Sequence, residues 1–398
     1  MAKKMNKIEK LIAELCPEGV EWKDVGTLIE DKAVTTVNPP KKLTKKYYKP
    51  IGAFPIVDQG QNFIVGYTDD SKALVTNGLY VIFGDHTEAI KYVDFAFAQG
   101  ADGIKVLKTH TDIINTRFFY YALNDFYKNT GKYTRHFSFL KKTKIPIPPL
   151  AIQQEIVKIL DTFTTLEAEL EAELEARKKQ YEYYRDQLLT FVEGIEYKTL
   201  GEVGEFIRGN GLPKVDFTEN GVGCIHYGQI YTYYGTFTDK TKSFVSPETA
   251  KKLQKVHTND LIITNTSENI EDVCKTVVWL GNDVIVTGGH ASIFKHNENP
   301  KYLAYYTQTQ MFFDEKRKLA KGTKVIDVSA KDLAKIKIPI PPLTEQERIV
   351  AILDKFDALV NDISVGLPAE LNARRKQYEY YRGKLLTFKP LEDEYANQ

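Results

Sequence analysis

Between Lys32 and Lys49 the chain carries six lysines and no acid, and between Lys128 and Lys144 five lysines, one arginine and again no acid. A third run, Lys316 to Lys324, holds four lysines and Arg317. Each run contains or adjoins aromatics: Tyr47 and Tyr48, Tyr133 with Phe137 and Phe139, and Phe312 with Phe313. One such run reads as a solvated loop. Three of them, spread over both halves of the chain, favour a surface that contacts phosphates. Lys41, Lys42, Lys45, Lys46, Lys132, Tyr133, Arg135, Lys321 and Lys324 are the candidates for that contact. Groups suited to base edges fall in other loops. Gln59, Gln61, Asn62, Asn77 and His86 lie near glycines in the first half. Arg208, Asn210, His226, Tyr227, Gln229, Tyr231 and Tyr233 lie in the second. Arginine can pair with guanine, and asparagine or glutamine with adenine, through two hydrogen bonds in the major groove.

Catalytic chemistry is hard to find in the same sequence. There is no G-x-x-x-x-G-K-[ST] phosphate loop. The seven histidines show no metal spacing such as H-E-x-x-H, and no Ser/His/Asp arrangement stands out. Asn38-Pro39-Pro40 is followed by Lys41, not by the aromatic ring that amino-methyltransferase motifs place there to stack on a flipped base, and it reads as a turn. The absence of such motifs points to a binding subunit. Cys16, Cys224 and Cys274 are too few and too scattered for a disulfide framework and fit a reducing cytoplasm. Met1 to Leu15 is charged throughout, unlike a signal peptide, and no apolar run approaches the ~18 residues that would span a membrane.

The elements that must position these loops come in duplicate. Lys144-Ile145-Pro146-Ile147-Pro148-Pro149-Leu150 returns unchanged as Lys337-Ile338-Pro339-Ile340-Pro341-Pro342-Leu343. Arg177 to Phe191 and Arg374 to Phe388 are identical at 12 of 15 positions. A shorter echo relates Gly19-Val20-Glu21-Trp22-Lys23 to Gly194-Ile195-Glu196-Tyr197-Lys198. The segments between the echoes, 24–143 and 199–336, share little sequence. One scaffold used twice with two different payloads suits a protein that reads two different things at a fixed separation.

After each Pro-Pro-Leu a long helix is predicted, with proline placed where its missing N–H costs nothing. In the first, Ile152, Ile156, Ile159, Phe163, Leu166, Leu170, Leu174, Tyr181, Tyr184, Leu188 and Phe191 form one apolar stripe at spacings of mostly three and four. The second adds a capping-box pattern at Thr344-Glu345-Gln346-Glu347. It is bent or interrupted at Gly366-Leu367-Pro368. Matching stripes predict an antiparallel pair. A helix of about 40 residues spans roughly 60 Å. Its middle repeats Leu-Glu-Ala-Glu from Leu166 to Arg177, either as helical filler or as an adjustable spacer. The payloads read as mixed α and β. Gly78–Gly84 and Asp260–Thr264 are predicted strands. Phe118–Leu123 and Tyr302–Thr307 are predicted amphipathic helices whose rings fill the core. The fold class is therefore α+β: two mixed α/β domains joined by a pair of long antiparallel helices, with a pseudo-twofold internal repeat.

The doubled K-I-P-I-P-P-L, the R-[KR]-K-Q-Y-E-Y-Y-R tracts, Gly60 to Asp69, and Phe83-Gly84-Asp85-His86-Thr87 through Asp94 to Gly100 together resemble the specificity subunits of type I restriction–modification enzymes. The resemblance covers nearly the whole chain. It implies an N-terminal helix in 1–15, target recognition domains in 16–147 and 192–340, a central helical region in 148–191 and a distal one with a tail in 341–398. It implies that the short helix at Met5 to Leu15 packs near the C-terminal region. It also implies a non-catalytic subunit that binds double-stranded DNA and docks two adenine methyltransferase subunits, which carry S-adenosylmethionine. Motor-nuclease subunits using ATP and magnesium would join these, while this chain binds no cofactor or metal itself. Lys132-Tyr133-Thr134-Arg135 and Gly322-Thr323-Lys324 match the family segment that lies by the DNA. Two rival readings remain at this level. One is a coiled-coil scaffold with two protein-binding domains; the other is a stand-alone methyltransferase or nuclease, whose motifs are missing.

Overall fold

The echoed segments prove to be each other's partners. In this computed structural model, which describes residues 7–100, 103–132, 134–362 and 364–391, Glu21–Asp24 pairs antiparallel with Lys144–Ile147, placing Trp22 opposite Pro146. In the second half Tyr197–Thr199 pairs with Lys337–Pro339 in the same way, Tyr197 opposite Pro339. Each two-stranded ribbon closes the neck of one payload. A proline is tolerated in it because a two-stranded ribbon leaves one edge of each strand without a ladder partner.

The chain divides into two units. One holds the residues up to Glu169 and those from Asn372 onward; the other holds Leu170–Leu371. In the first, an antiparallel sheet runs in the order Val34–Val37, Ile104–Thr109, Tyr80–Gly84, Ile90–Val93. A second sheet runs Gly66–Thr68, Phe54–Val57, Phe97–Gln99, Leu74–Val75, with its central pair parallel. The second unit repeats both patterns. Gly204–Arg208, Ala291–His296, Leu261–Thr264 and Thr276–Trp279 form one sheet, extended by Phe237–Thr238. In the other, Val222–Ile225 pairs parallel with Ile285–Thr287. Two payloads with little common sequence thus share one topology.

The joint between payload and scaffold helix is also built twice, hydrogen bond for hydrogen bond. Asn115 caps the helix Thr116–Phe126, and its own N–H donates to the buried Gln153 (2.8 Å), whose amide reaches the Pro148 carbonyl (2.7 Å). Arg117 and Tyr121 both donate to Asp161, at 2.8 and 2.5 Å. In the other unit Asn299 caps Pro300–Tyr306 and donates to Gln346 (3.0 Å), which reaches the Pro341 carbonyl (2.8 Å). Lys301 and Tyr305 donate to Asp354, each at 2.7 Å. The rings of these capped helices form the cores: Phe118, Phe119 and Tyr121 in one, Tyr302, Tyr305 and Tyr306 in the other, all buried. Burying such a side chain is worth roughly 1.5–3 kcal/mol.

The scaffold comprises the helix Leu150–Leu188, then Leu343–Asn361 and Leu367–Leu386, with the predicted interruption between the last two. In the first unit Phe163 stacks on Tyr381 (5.5 Å) and Glu167 pairs with Arg375 (2.6 Å), so the segments run antiparallel. In the second Tyr184 stacks on Phe356 (5.8 Å). The short N-terminal helix, Lys7–Leu15, shares its core with Leu386 and Phe388 near the chain's other end. Two expectations need correction. Thr344 caps nothing: the helix starts at Leu343 behind Pro342, and Gln346 is committed to Asn299. Phe191 lies beyond the end of its helix. The stripe leaves apolar surface uncovered, Leu166 being 41% and Tyr184 42% exposed.

Candidate nucleic-acid interface

In the first unit a buried hub holds the basic loop that precedes the neck. Strand Tyr80–Gly84 ends in a tight turn whose last residue, Glu88, adopts a left-handed backbone (φ 58°). Its carboxylate is buried and accepts from Tyr127 Oη (2.8 Å), Thr130 N (2.8 Å) and Gly131 N (3.2 Å), and His136 Nδ1 lies 3.1 Å away. Burial opposes the charge, but the donors at Thr130, Tyr127 and Gly131 outweigh it and hold the carboxyl below its ordinary pKa. Asp85 binds the end of the same loop, its carbonyl accepting from His136 N (2.7 Å) and its carboxylate from Phe137 N (2.8 Å). Asp85 N in turn donates to the Gly103 carbonyl (2.6 Å). Gly103 has φ 93°, and a Cβ there would meet the Gln59 side chain at 2.8 Å.

The second unit makes the same crossing with other side chains. Asn265 N donates to the His290 carbonyl (2.8 Å), and Val328 N donates to the Asn265 carbonyl (2.8 Å). Asn265 thus stands where Asp85 does, His290 (φ 68°) where Gly103 does, and Val328 where His136 does. The Asn265 amide adds bonds to Val328 O (2.9 Å) and from Ser292 (2.7 Å). Cys274 (φ 66°) takes the place of Glu88, and the buried Lys316 donates to the Glu271 and Val273 carbonyls at 2.8 and 2.7 Å. Lys132 and Lys324 each lie four residues before the residue whose N–H donates to the Asp85 or Asn265 carbonyl.

The candidate residues divide sharply by what their side chains already do. In the first unit Lys45 and Lys46 are exposed on a short turn, Lys46 lying 4.9 Å from the Tyr47 ring. Lys41 is paired with Asp70 (2.7 Å). Lys42 lies where the backbone bridges to Gln99. Lys132 and Arg135 are exposed, and Tyr133 lies outside the described residues. Gln59 accepts from His86 N (3.2 Å), and His86 Nδ1 lies 3.2 Å from the Thr134 carbonyl, so these two tie loops together. Asn62 gives its carbonyl to Lys91. Gln61 is exposed and makes no hydrogen bond among the described residues. Asn77 precedes strand Tyr80–Gly84 while His86 follows it, so roughly 16 Å of extended chain parts Asn77 from the hub.

In the second unit Arg208 is exposed and sits opposite Ser292, beside the hub. Lys324 and Tyr233 are exposed, with Lys242 lying 4.4 Å from the Tyr233 ring. The others are committed. Asn210 donates to Lys252 O (2.7 Å), Gln229 to Ser243 (2.6 Å) and Tyr231 to Thr266 O (2.6 Å). His226 is buried and caps the helix Tyr227–Thr232; burial, then Lys214 and His290, lower its pKa. Tyr227 packs between His226 and His290, at 4.5 and 4.9 Å. Lys321 is bound to Asp332 (3.0 Å), a carboxylate held well below the usual range by Lys335, Lys321 and Ser329. Glu88, Asp85, His136, Asn265 and Lys91 hold the loops in roles not read from the sequence, whereas Lys316, read as the start of a basic run that contacts phosphates, is instead buried on the Glu271 and Val273 carbonyls. The one signal for Lys91 is a lysine alternating onto the apolar Val93 face of its strand.

Comparison with known proteins agrees with this duplication. The family model for the type I restriction modification DNA specificity domain matches twice, over residues 18–176 and 192–373. The type I restriction enzyme EcoR124I/EcoR124II specificity subunit of Escherichia coli is 37% identical, over 96% of this chain and 97% of its own length. A putative type I restriction enzyme specificity subunit of Haemophilus influenzae is 30% identical, over 93% of this chain and 96% of its own. The solved S subunit of a type I restriction–modification system from M. genitalium aligns with a TM-score of 0.54 and 17% identity, covering 92% of this chain and 96% of its own. A chain from a structural study of complex assembly and conformational transition in the type I system aligns at 0.58 and 18%, covering 92% and 97%. At such identities the two structures speak for the fold alone.

Proposed function

This chain belongs to the family of type I restriction–modification DNA specificity subunits, and from that premise we propose that it reads a bipartite target in double-stranded DNA, one half-target with each unit. The observation that carries this reading is the twice-built hub. The same backbone crossing presents a basic loop in each unit, while the side chains around it differ, as two readers of different sequences require. Exposed Lys45, Lys46, Lys132 and Arg135 in one unit, and Arg208 and Lys324 in the other, supply phosphate contacts that position the duplex.

Chemistry falls to partners. The scaffold exposes Tyr183 (61%) and Tyr184 (42%) in one unit, and Tyr380 (64%) and Tyr381 (36%) in the other, as edge-to-face pairs at 5.4 and 5.3 Å within the repeated tract. Two matching apolar patches suit two identical partners, here adenine methyltransferase subunits that hold S-adenosylmethionine. Motor-nuclease subunits that consume ATP with magnesium complete the cytoplasmic assembly, and this chain holds no cofactor. The test is DNA binding by the chain co-expressed with its methyltransferase subunits. With about six phosphate contacts, affinity should fall about 10³-fold between 50 and 200 mM salt. Native mass spectrometry should show two methyltransferase copies per chain. A saturating one-to-one complex, or binding indifferent to salt, overturns the proposal in favour of a protein-binding scaffold.

A further inference from the structure

The strand Phe54–Val57 and the strand Val222–Ile225 occupy the same place in their units, each paired parallel with its neighbour. Val57 aligns with Gln99 as Ile225 aligns with Thr287. The residues that follow therefore correspond one to one: Asp58-Gln59-Gly60-Gln61 with His226-Tyr227-Gly228-Gln229. The local geometry agrees, because Asp58 Oδ1 accepts from Gly60 N (2.7 Å) as His226 Nδ1 accepts from Gly228 N (3.1 Å). Gln61 and Gln229 thus follow their strands at the same distance, Gln61 in a loop and Gln229 in the first turn of the helix Tyr227–Thr232.

Their side chains have opposite fates. Gln229 is engaged at both ends within its unit, its oxygen accepting from His226 N (3.2 Å) and its nitrogen donating to Ser243 Oγ (2.6 Å). Gln61 is exposed and bonds to nothing among the described residues. Yet its loop is firmly held. Lys91, 6% exposed, donates to the Asp58 carbonyl (2.8 Å) and to the Asn62 carbonyl (2.6 Å), gripping the loop on both sides of Gln61. Gln59 is pinned by His86 N and Thr87 Oγ1. His86 also lies against the Thr134 carbonyl, which brings the loop beside the basic segment that carries Lys132 and Arg135. Burying an ammonium group is costly unless its donors are used. Here that cost goes into immobilising a loop whose central amide has no hydrogen-bond partner among the described residues.

We propose that Gln61 is a base-reading side chain of the first unit and that Lys91 is the residue that positions it. This rests on the DNA-reading function above and names the residue through which the first half-target is read. A glutamine amide held at a fixed place can give one hydrogen bond and take one, the pattern that adenine presents at N7 and N6 in the major groove. Because Gln229 is held at both ends within its unit, the second unit reads with other groups.

The test uses the full chain co-expressed with its methyltransferase subunits, with methylated sites mapped across a genome. Gln61→Ala should relax discrimination at one base pair of the first half-target by roughly 5–150-fold and leave the second half-target unchanged. Lys91→Met should relax that same base pair, and the double variant should lose no more there than Gln61→Ala alone. Lys91→Arg, which keeps several donors, should retain discrimination. A merely structural Lys91 would instead lower the yield of both half-targets without singling out one base pair, and that overturns its positioning role. Unchanged discrimination in Gln61→Ala overturns the assignment of Gln61, even if the Lys91 variants fail to fold. If the unaltered chain directs no methylation at all, the DNA-reading function fails, which is a distinguishable result.

Discussion

Glu88→Ala should free the basic loop of the first unit without unfolding that unit. The carboxylate takes two backbone N–H groups and a phenol from residues 127–131, and it faces His136. Hydrogen bonds to a charged group are worth ~1.5–3 kcal/mol each, so three would sum to about 5–9 kcal/mol. The loop can turn its amides to water once the anchor is gone, so the loss is local and nearer ~3 kcal/mol, or about 10²-fold in the opening equilibrium. Hydrogen exchange read by mass spectrometry should show that acceleration in peptides covering 128–136 and little change in the strand Tyr80–Gly84. Glu88→Gly removes the same acceptor but relieves the left-handed backbone at φ 58°, so it should cost about 1 kcal/mol less in global stability than the alanine variant. Exchange in the loop unchanged within about threefold, in a folded Glu88→Ala protein, would refute the hub.

Acid should loosen both loops. Glu88 and Asp332 have folded pKa values below their unfolded ones, so the stability they contribute is full above about pH 4.5 and is lost as pH falls through the folded values; loop exchange measured from pH 6 to 3 checks this, and a flat profile contradicts it. Deleting Leu170-Glu171-Ala172-Glu173 shortens the long helix by roughly 6 Å and turns its distal part about 40° beyond a full rotation. At ~3.4 Å per base pair the gap between half-targets should shrink by one or two base pairs with both half-targets intact. Methylome sequencing decides, and an active deletion with the original gap leaves the segment as filler. Tyr380→Asp with Tyr381→Asp should lower the methyltransferase stoichiometry from two to one in native mass spectra; two retained copies would place docking elsewhere.

What could be read from the sequence was whatever depends on side-chain periodicity. The spacing of Ile152, Ile156 and Leu188 marks a helix over Leu150–Leu188, and Gly366-Leu367-Pro368 marks the interruption of the second. The strands near 80–84 and 261–264, and the core rings Phe118, Tyr121, Tyr302 and Tyr305, follow from their patterns. What could not be read was conserved in geometry and not in letters. Asp58 and His226 do one job because a backbone N–H donates to whichever oxygen or nitrogen reaches it; Asp85 and Asn265 do another through their own backbone groups; and Arg117 and Lys301 are alternative donors to a carboxylate. Capping patterns also misled: Thr344 has the right spacing for a cap, but the helix begins earlier behind Pro342. Among the interface candidates, residue type near a glycine selected Asn210, Gln229 and His226 as readily as Gln61, and only the hydrogen bonds separate the spoken-for from the free.

The central claim is that two similarly built units read separate half-targets. Its most direct test replaces residues 24–143 with the matching segment of a relative that keeps the joint equivalents of Asn115, Arg117 and Tyr121, and then sequences the methylome. Those three residues meet Gln153 and Asp161 of the scaffold, so a segment retaining them should seat on the helix. The predicted result is a methylated bipartite target in which one half is new and the other is unaltered, with the same gap between them. A change in both halves, or in neither while methylation persists, would contradict it.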